Sequence, residues 1–288
     1  MAKNRDTGAA YRRWGERTAE QLRDHYEIEK ELADRLRHAT KEQRRSLYSE
    51  VYDELFRRVP HHPQLVRRHD PNWQRDQVAC QMKLLRRFVT PETVFLEVGA
   101  GDCALSLHLA QQTRSVYAVD VSHEIAGQRT VPDNFRLIIS DGTSIPVPPG
   151  SVTLAYSNQL MEHLHPENAL EQLRNLHRGM APGGRYLCIT PNRLSGPHDV
   201  SKYFDRVATG LHLAEYTAGD LSRIFREVGF HKLTCYVNIQ GVYRQCPLRL
   251  LRLLETTLIM LPFSPRHRVA NISTVAGVLG LAMVGHKL

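Results

Sequence analysis

Apolar residues recur near helical spacing at Leu32, Leu36, Leu47, Val51 and Leu55. They lie in a stretch from residue 9 to about 58 that holds no proline and is rich in Glu, Arg, Leu and Ala. The pattern predicts a helical N-terminal extension. Pro60, Pro63 and Pro71, with the His61-His62 pair, interrupt it, and a further helix is predicted from about residue 76 to 87, before Thr90-Pro91. Beyond residue 92 short β-rich runs alternate with stretches of helical spacing. The runs fall at 94–98, 115–119, 135–140, 151–157, 185–190, 232–239 and 279–285. Such alternation makes a parallel sheet covered by helices on both faces. The expected fold is therefore α/β, a doubly wound, mostly parallel seven-stranded sheet with a helical N-terminal extension. Residues 1–90 form the extension or lid and 91–288 the sheet domain, with a Leu- and Arg-rich insertion at about 243–276.

The chemistry gathers at the strand ends. The first strand runs into Glu97-Val98-Gly99-Ala100-Gly101-Asp102-Cys103-Ala104. A glycine turn between strand and helix lets a ligand approach the backbone, because no Cβ stands in the way. Gly99 and Gly101 also match a dinucleotide fingerprint, a weak signal by itself. Glu97 separates the two readings, since an acid here repels a pyrophosphate and attracts a cationic amino group. Asp120, closing the second strand, can accept hydrogen bonds from ribose hydroxyls. Asp141-Gly142, ending the third, can offer a carboxylate to an exocyclic adenine amine, and Asn158 brings a polar group to the same edge. Taken singly, each acid reads better as a cap or turn residue.

Together these motifs resemble the class I S-adenosylmethionine-dependent methyltransferases, over about residues 94–230. Glu97 to Gly101 is similar to that family's acidic glycine loop, Asp120 to its ribose acid and Asp141 to its adenine-side acid. The segments 159–164 and 180–187, the second containing Pro182-Gly183-Gly184, are similar to its later motifs. The resemblance implies a Rossmann-like methyltransferase fold, S-adenosyl-L-methionine as cofactor, and cofactor contacts from Glu97, Gly99, Gly101, Asp120, Asp141, Gly142 and Asn158. It also implies that the sheet ends in antiparallel strands six and seven. Cys103 stands where many members have a third glycine. Glu162-His163 is similar to part of the Glu-x-x-Glu-His metal cluster of ubiquinone-pathway O-methyltransferases, but Gln159 replaces the first Glu. No metal is expected, and Glu162 and His163 are assigned to a helix face behind the cofactor.

On the acceptor side, the polar loop 190–205 contains His198, the sequence's first choice as general base, with Asp199 adjacent; His212 and Tyr216 follow. Thr217 and Asp220 fit a capping box better than catalysis. The expected activity is methyl transfer to an O or N atom of a small molecule such as a lipid, sugar or specialised metabolite. RNA or protein methylation, a non-catalytic cofactor-binding scaffold and a nicotinamide oxidoreductase are the competing readings.

Charge bears on the RNA reading. The chain carries a net charge of +8, and residues 1–90 hold 20 Lys and Arg against 14 Asp and Glu. Acids are interspersed among these bases, as on a solvated helical surface, and no RNA-binding module is recognisable, so no nucleic-acid partner is expected. The five cysteines lack zinc spacing and read as reduced thiols. With no secretory signal and no apolar run long enough to span a bilayer, the expected compartment is the cytoplasm. The apolar residues of segment 248–261 cover more than one face, which predicts burial in a lid or a homodimer contact.

Overall fold

The computed structural model describes residues 17–68, 70–122 and 131–288. The first part of the predicted N-terminal helix, before residue 17, lies outside these. Within them the extension is two helices, α1 (Ala19–His38) and α2 (Lys41–Arg58). Thr18 and Thr40 close capping boxes with Gln21 and Gln43, so the break at Ala39-Thr40 is a cap written into the sequence. A short helix, α3 (Pro63–Arg67), and α4 (Pro71–Leu85) follow. The α4 helix starts at Pro71 and not near residue 76, because Asp70 accepts from the Asn72 and Trp73 amides and proline is favoured at the first helical position.

The sheet then builds through β1 (Val94–Val98), α5 (Ala104–Ala110), β2 (Ser115–Asp120), β3 (Phe135–Ile139), β4 (Val152–Asn158), α6 (Pro166–Gly179), β5 (Met180–Thr190), α7 (Ala218–Val228), β6 (Lys232–Ile239) and β7 (Val242–Cys246). Three helices, α8 (Leu248–Ile259), α9 (Phe263–Ala270) and α10 (Ser273–Leu279), precede the final strand, β8 (Leu281–His286). The strand order is β3-β2-β1-β4-β5-β8-β6-β7. Neighbours from β3 to β5 are parallel, and β8 lies antiparallel between β5 and β6.

Among the described residues eight strands stand where seven were expected. The extra one, β7, comes from the start of the predicted insertion and pairs antiparallel with β6. Gln240 and Gly241 between them both have positive φ, the backbone that matches a two-residue hairpin to strand twist.

One apolar core joins the N-terminal helices to the sheet. Leu32, Leu36, Val51 and Leu55 cluster with Leu96 and Val98 of β1, Tyr186 of β5 and Phe225 of α7. A second cluster, including Leu84, Phe95, Leu105, Leu109 and Tyr156, fills the opposite face. Burying both faces explains why the inner strands read as nearly continuous apolar runs.

Candidate active site

The site forms where β1, β2 and β4 end together. Gly99 (φ +74°) and Gly101 (φ +53°) make the turn after β1, and a Cβ on Gly99 would come within 3.0 Å of Leu160 Cδ1. Gly101 has open space where its Cβ would be, so a ligand can lie against its backbone. Cys103 adopts φ 59° at the start of α5, a left-handed backbone that favours glycine. The substitution noted from the sequence thus falls where the missing glycine would relieve strain.

Glu97 is buried, accepts a 2.5 Å bond from Ser106 Oγ, and has its pKa pushed up to about 8 by burial. Asp120 accepts from the Gly101 amide at 2.7 Å and from the Val121 and Ser122 amides at 2.8 and 3.0 Å, which fixes its carboxylate beside the glycine loop. Two cavities share this loop. One, of about 140 Å³, is lined by Glu97, Gly99, Gly101, Asn158 and Gln81. The other, of about 440 Å³, takes in Gly99, Gly101, Asp120, Gly142 and Asn158, and extends under α1 and α2.

Two predicted residues lie elsewhere. Asp141 lines neither cavity, because it is a turn residue. Its Oδ1 accepts from the Thr143 and Ser144 amides at 2.9 and 2.6 Å, and its Oδ2 from Ser144 Oγ at 2.9 Å. Burial works to raise its pKa, but these bonds carry it below the usual carboxylate range. Ser140, Gly142 and Ser144 form the wall instead. His198 is likewise absent from both linings. Its Nε2 lies 3.1 Å from Asn192 O and 3.1 Å from Ser195 Oγ, and its amide donates to Glu215 Oε1, so it clips the loop together. The expectation of a general base at His198 is corrected on that geometry.

Two histidines do reach the larger cavity, His62 and His163, with Glu29, Tyr48, Tyr52, Phe56 and Trp73 around them. The spacing of Tyr48, Tyr52 and Phe56, four apart on α2, was the signal that could have found this wall. His163 Nδ1 bonds the Leu211 carbonyl at 3.1 Å, which leaves Nε2 as the ring's acceptor. Burial lowers its pKa to about 3, keeping the ring neutral. Tyr52 OH is buried with no hydrogen-bond partner.

Beside His163, the donor atoms of Glu162, His163 and His212 lie within 4.8 Å of one another. Glu162 Oε1 is buried and unpartnered, and His212 Nδ1 bonds Glu215 at 2.8 Å. Burial pushes the Glu162 pKa up to about 7. Burial works to lower the His212 pKa, but the bond to Glu215 and the charges of Glu162 and Asp199 raise it. Either a protonated His212 or a divalent cation can balance Glu162 here.

A family model for a methyltransferase domain matches residues 31–234. The chain belongs to that family. Its cofactor is S-adenosylmethionine, and the glycine loop, Glu97 and Asp120 lie together at one edge of the sheet. No curated protein sequence matches the chain.

Solved methyltransferase structures share its fold. A chain of the complex between the Haloferax volcanii Trm112 methyltransferase activator and a candidate methyltransferase is 16% identical with a TM-score of 0.53, covering 77% of this chain and 96% of that one. A SAM-dependent methyltransferase of Archaeoglobus fulgidus is 16% identical at 0.50, covering 74% and 94%. A SAM-dependent methyltransferase of Thermotoga maritima, described as a possible histamine N-methyltransferase, is 11% identical at 0.50, covering 75% and 91%. Among the described residues no helix is long and apolar enough to cross a membrane.

Proposed function

We propose that this methyltransferase acts on an oxygen or nitrogen atom of a small molecule held in the cavity under α1 and α2. The observation that carries the reading is enclosure. Tyr48, Tyr52, Leu55 and Phe56 of α2 and Glu29 of α1 close over the sheet edge, around a space of about 440 Å³. A cavity of that size admits a compact acceptor beside a cofactor more readily than a strand of RNA or a protein chain.

When bound, S-adenosylmethionine supplies an electrophilic methyl group on a sulfonium, so the protein's task is alignment and proton removal. In this reading Glu97 holds the cofactor's amino group and Asp120 its ribose, while Gly99 and Gly101 give backbone access and Asn158 adds a polar contact. Neutral His163 accepts a hydrogen bond from the acceptor's O–H or N–H through Nε2, orienting its lone pair toward the methyl carbon. The proton leaves to solvent as charge develops, because a ring whose pKa is about 3 holds none at neutral pH. Tyr52 OH offers a second polar contact, and the aromatic wall takes the acceptor's apolar part.

Methyl-labelled cofactor, incubated with the protein and with separated small-molecule, RNA and protein fractions of a cell extract, tests this reading. Label appearing in the small-molecule fraction supports it. Label confined to RNA or protein rejects it.

A further inference from the structure

The segment from Gly241 onward is charged in one sense. It contains Arg244, Arg249, Arg252, Arg266, Arg268 and Lys287 but a single acidic residue, Glu255. Glu255 is buried beneath α8, where it accepts from Asn192 Nδ2 at 2.8 Å and from the Ala218 and Gly219 amides at 2.6 and 3.2 Å. No acidic side chain of this segment therefore reaches the surface. Among the described residues, Arg249, Arg252 and Arg268 form no ion pair.

The sequence predicted that the apolar residues of this stretch would be buried, and the structure buries only one side of α8. Leu251, Glu255 and Leu258 face inward. Leu250, Leu253 and Met260 face outward, exposed by 53%, 65% and 81%. Leu253 and Met260, seven residues apart, share one line along the helix, and Leu250 adjoins Leu253 on the next ridge. Thr256 and Thr257 between them donate their hydroxyls to the Arg252 and Leu253 carbonyls at 2.8 and 2.9 Å. Those hydroxyls are satisfied within the helix, so they do not require water.

An occupant must accept both features. Nucleic acid would pair the arginines yet leave Leu253 and Met260 in water. A second copy across a twofold axis would set arginines against arginines, because such an interface places the same patch on both sides. An anionic bilayer takes both, with apolar side chains at the acyl boundary and guanidinium groups among the phosphates. The 12 residues of α8 are too few to span, so the helix would lie in the interface plane.

We propose that the outer face of α8 docks this protein on an anionic lipid surface. Leu250, Leu253 and Met260 enter the headgroup boundary, and Arg249 and Arg268 pair with lipid phosphates. Glu255 couples the docked helix to Asn192, two residues beyond Thr190, whose hydroxyl donates to Glu162 beside the cavity.

Co-sedimentation of the full chain with phosphatidylcholine vesicles, and with equal phosphatidylcholine–phosphatidylglycerol vesicles, tests this. Binding is expected only with phosphatidylglycerol present, weakening in high salt and falling roughly fivefold for each of Arg249→Ala and Arg268→Ala. Leu253→Asp with Met260→Asp should abolish it, while the melting shift induced by S-adenosylhomocysteine stays as in the wild type, showing an intact fold. Absence of vesicle binding, or binding indifferent to that double substitution, overturns the proposal. So does a wild-type dimer that the substitution splits, or tighter association with RNA than with vesicles.

Discussion

Glu97 carries opposite consequences for stability and for binding. Burial raises its pKa from 4.5 to about 8. Between those values the folded protein holds a proton that the unfolded chain has released, so this group's contribution is complete below pH 4.5 and is lost as pH rises toward 8. Urea denaturation of the cofactor-free protein should show that decline, and Glu97→Gln should flatten it. Cofactor affinity should move the other way, strengthening with pH as Glu97 ionises, and Glu97→Gln should remove this trend in a calorimetric titration.

Asp120→Ala should weaken S-adenosylmethionine binding by about 1–3 kcal/mol through loss of hydrogen bonds to the ribose. His163→Ala should lower kcat roughly a hundredfold with cofactor affinity unchanged, whereas His198→Ala should retain most of kcat. Labelled-methyl transfer into the active extract fraction would measure both.

These residues also show what a sequence discloses about a site. The positions of Glu97, Gly99, Gly101 and Asp120 at one sheet edge were legible because the strand and the turn fix their places. Asp141 and His198 were misplaced because a position in a loop does not say where the side chain turns: one bonds its own turn, the other its own loop.

At the scale of elements, punctuation was informative where it acted locally. Thr217 and Asp220 form the capping box expected of them, with the Asp220 amide donating to Thr217 Oγ1 at 3.1 Å. Thr217→Ala should cost about 1 kcal/mol of stability, measured by urea denaturation. The edge strand β7 was less visible. Its Val-Tyr-Arg-Gln-Cys run is mostly exposed and mixes polar with apolar residues, so no alternation set it apart from the insertion. The glycine of its turn was the available cue. The aromatic wall of α2 was hidden for another reason: spacing of four predicts a helix face but does not name what that face covers.

At the scale of the molecule, the N-terminal helices are bound to the sheet by polar clamps as well as by the shared core. Arg44 is buried and bonds Asn168 and the Ala39 carbonyl at 2.5 Å each, and it pairs with Glu167. Tyr48 OH accepts from the His165 amide at 2.9 Å, and Ser122 Oγ donates to Asp53 at 2.7 Å. Arg44→Ala leaves these partners unmet and should cost about 3 kcal/mol. The same substitution should raise the KM for the acceptor more than it lowers cofactor affinity, because the helices it loosens cover the proposed acceptor cavity.

The place of β8 sets a condition on how the protein is made. This strand follows every other element described here, yet it enters the sheet between β5 and β6, joining Arg185 to a residue roughly a hundred positions later. While the chain is being synthesised, the exposed edges of β5 and β6 must wait for a partner that emerges after both. A nascent chain stalled before Leu281 would present two open strand edges to its neighbours, which is the circumstance in which chaperones are needed and aggregates begin.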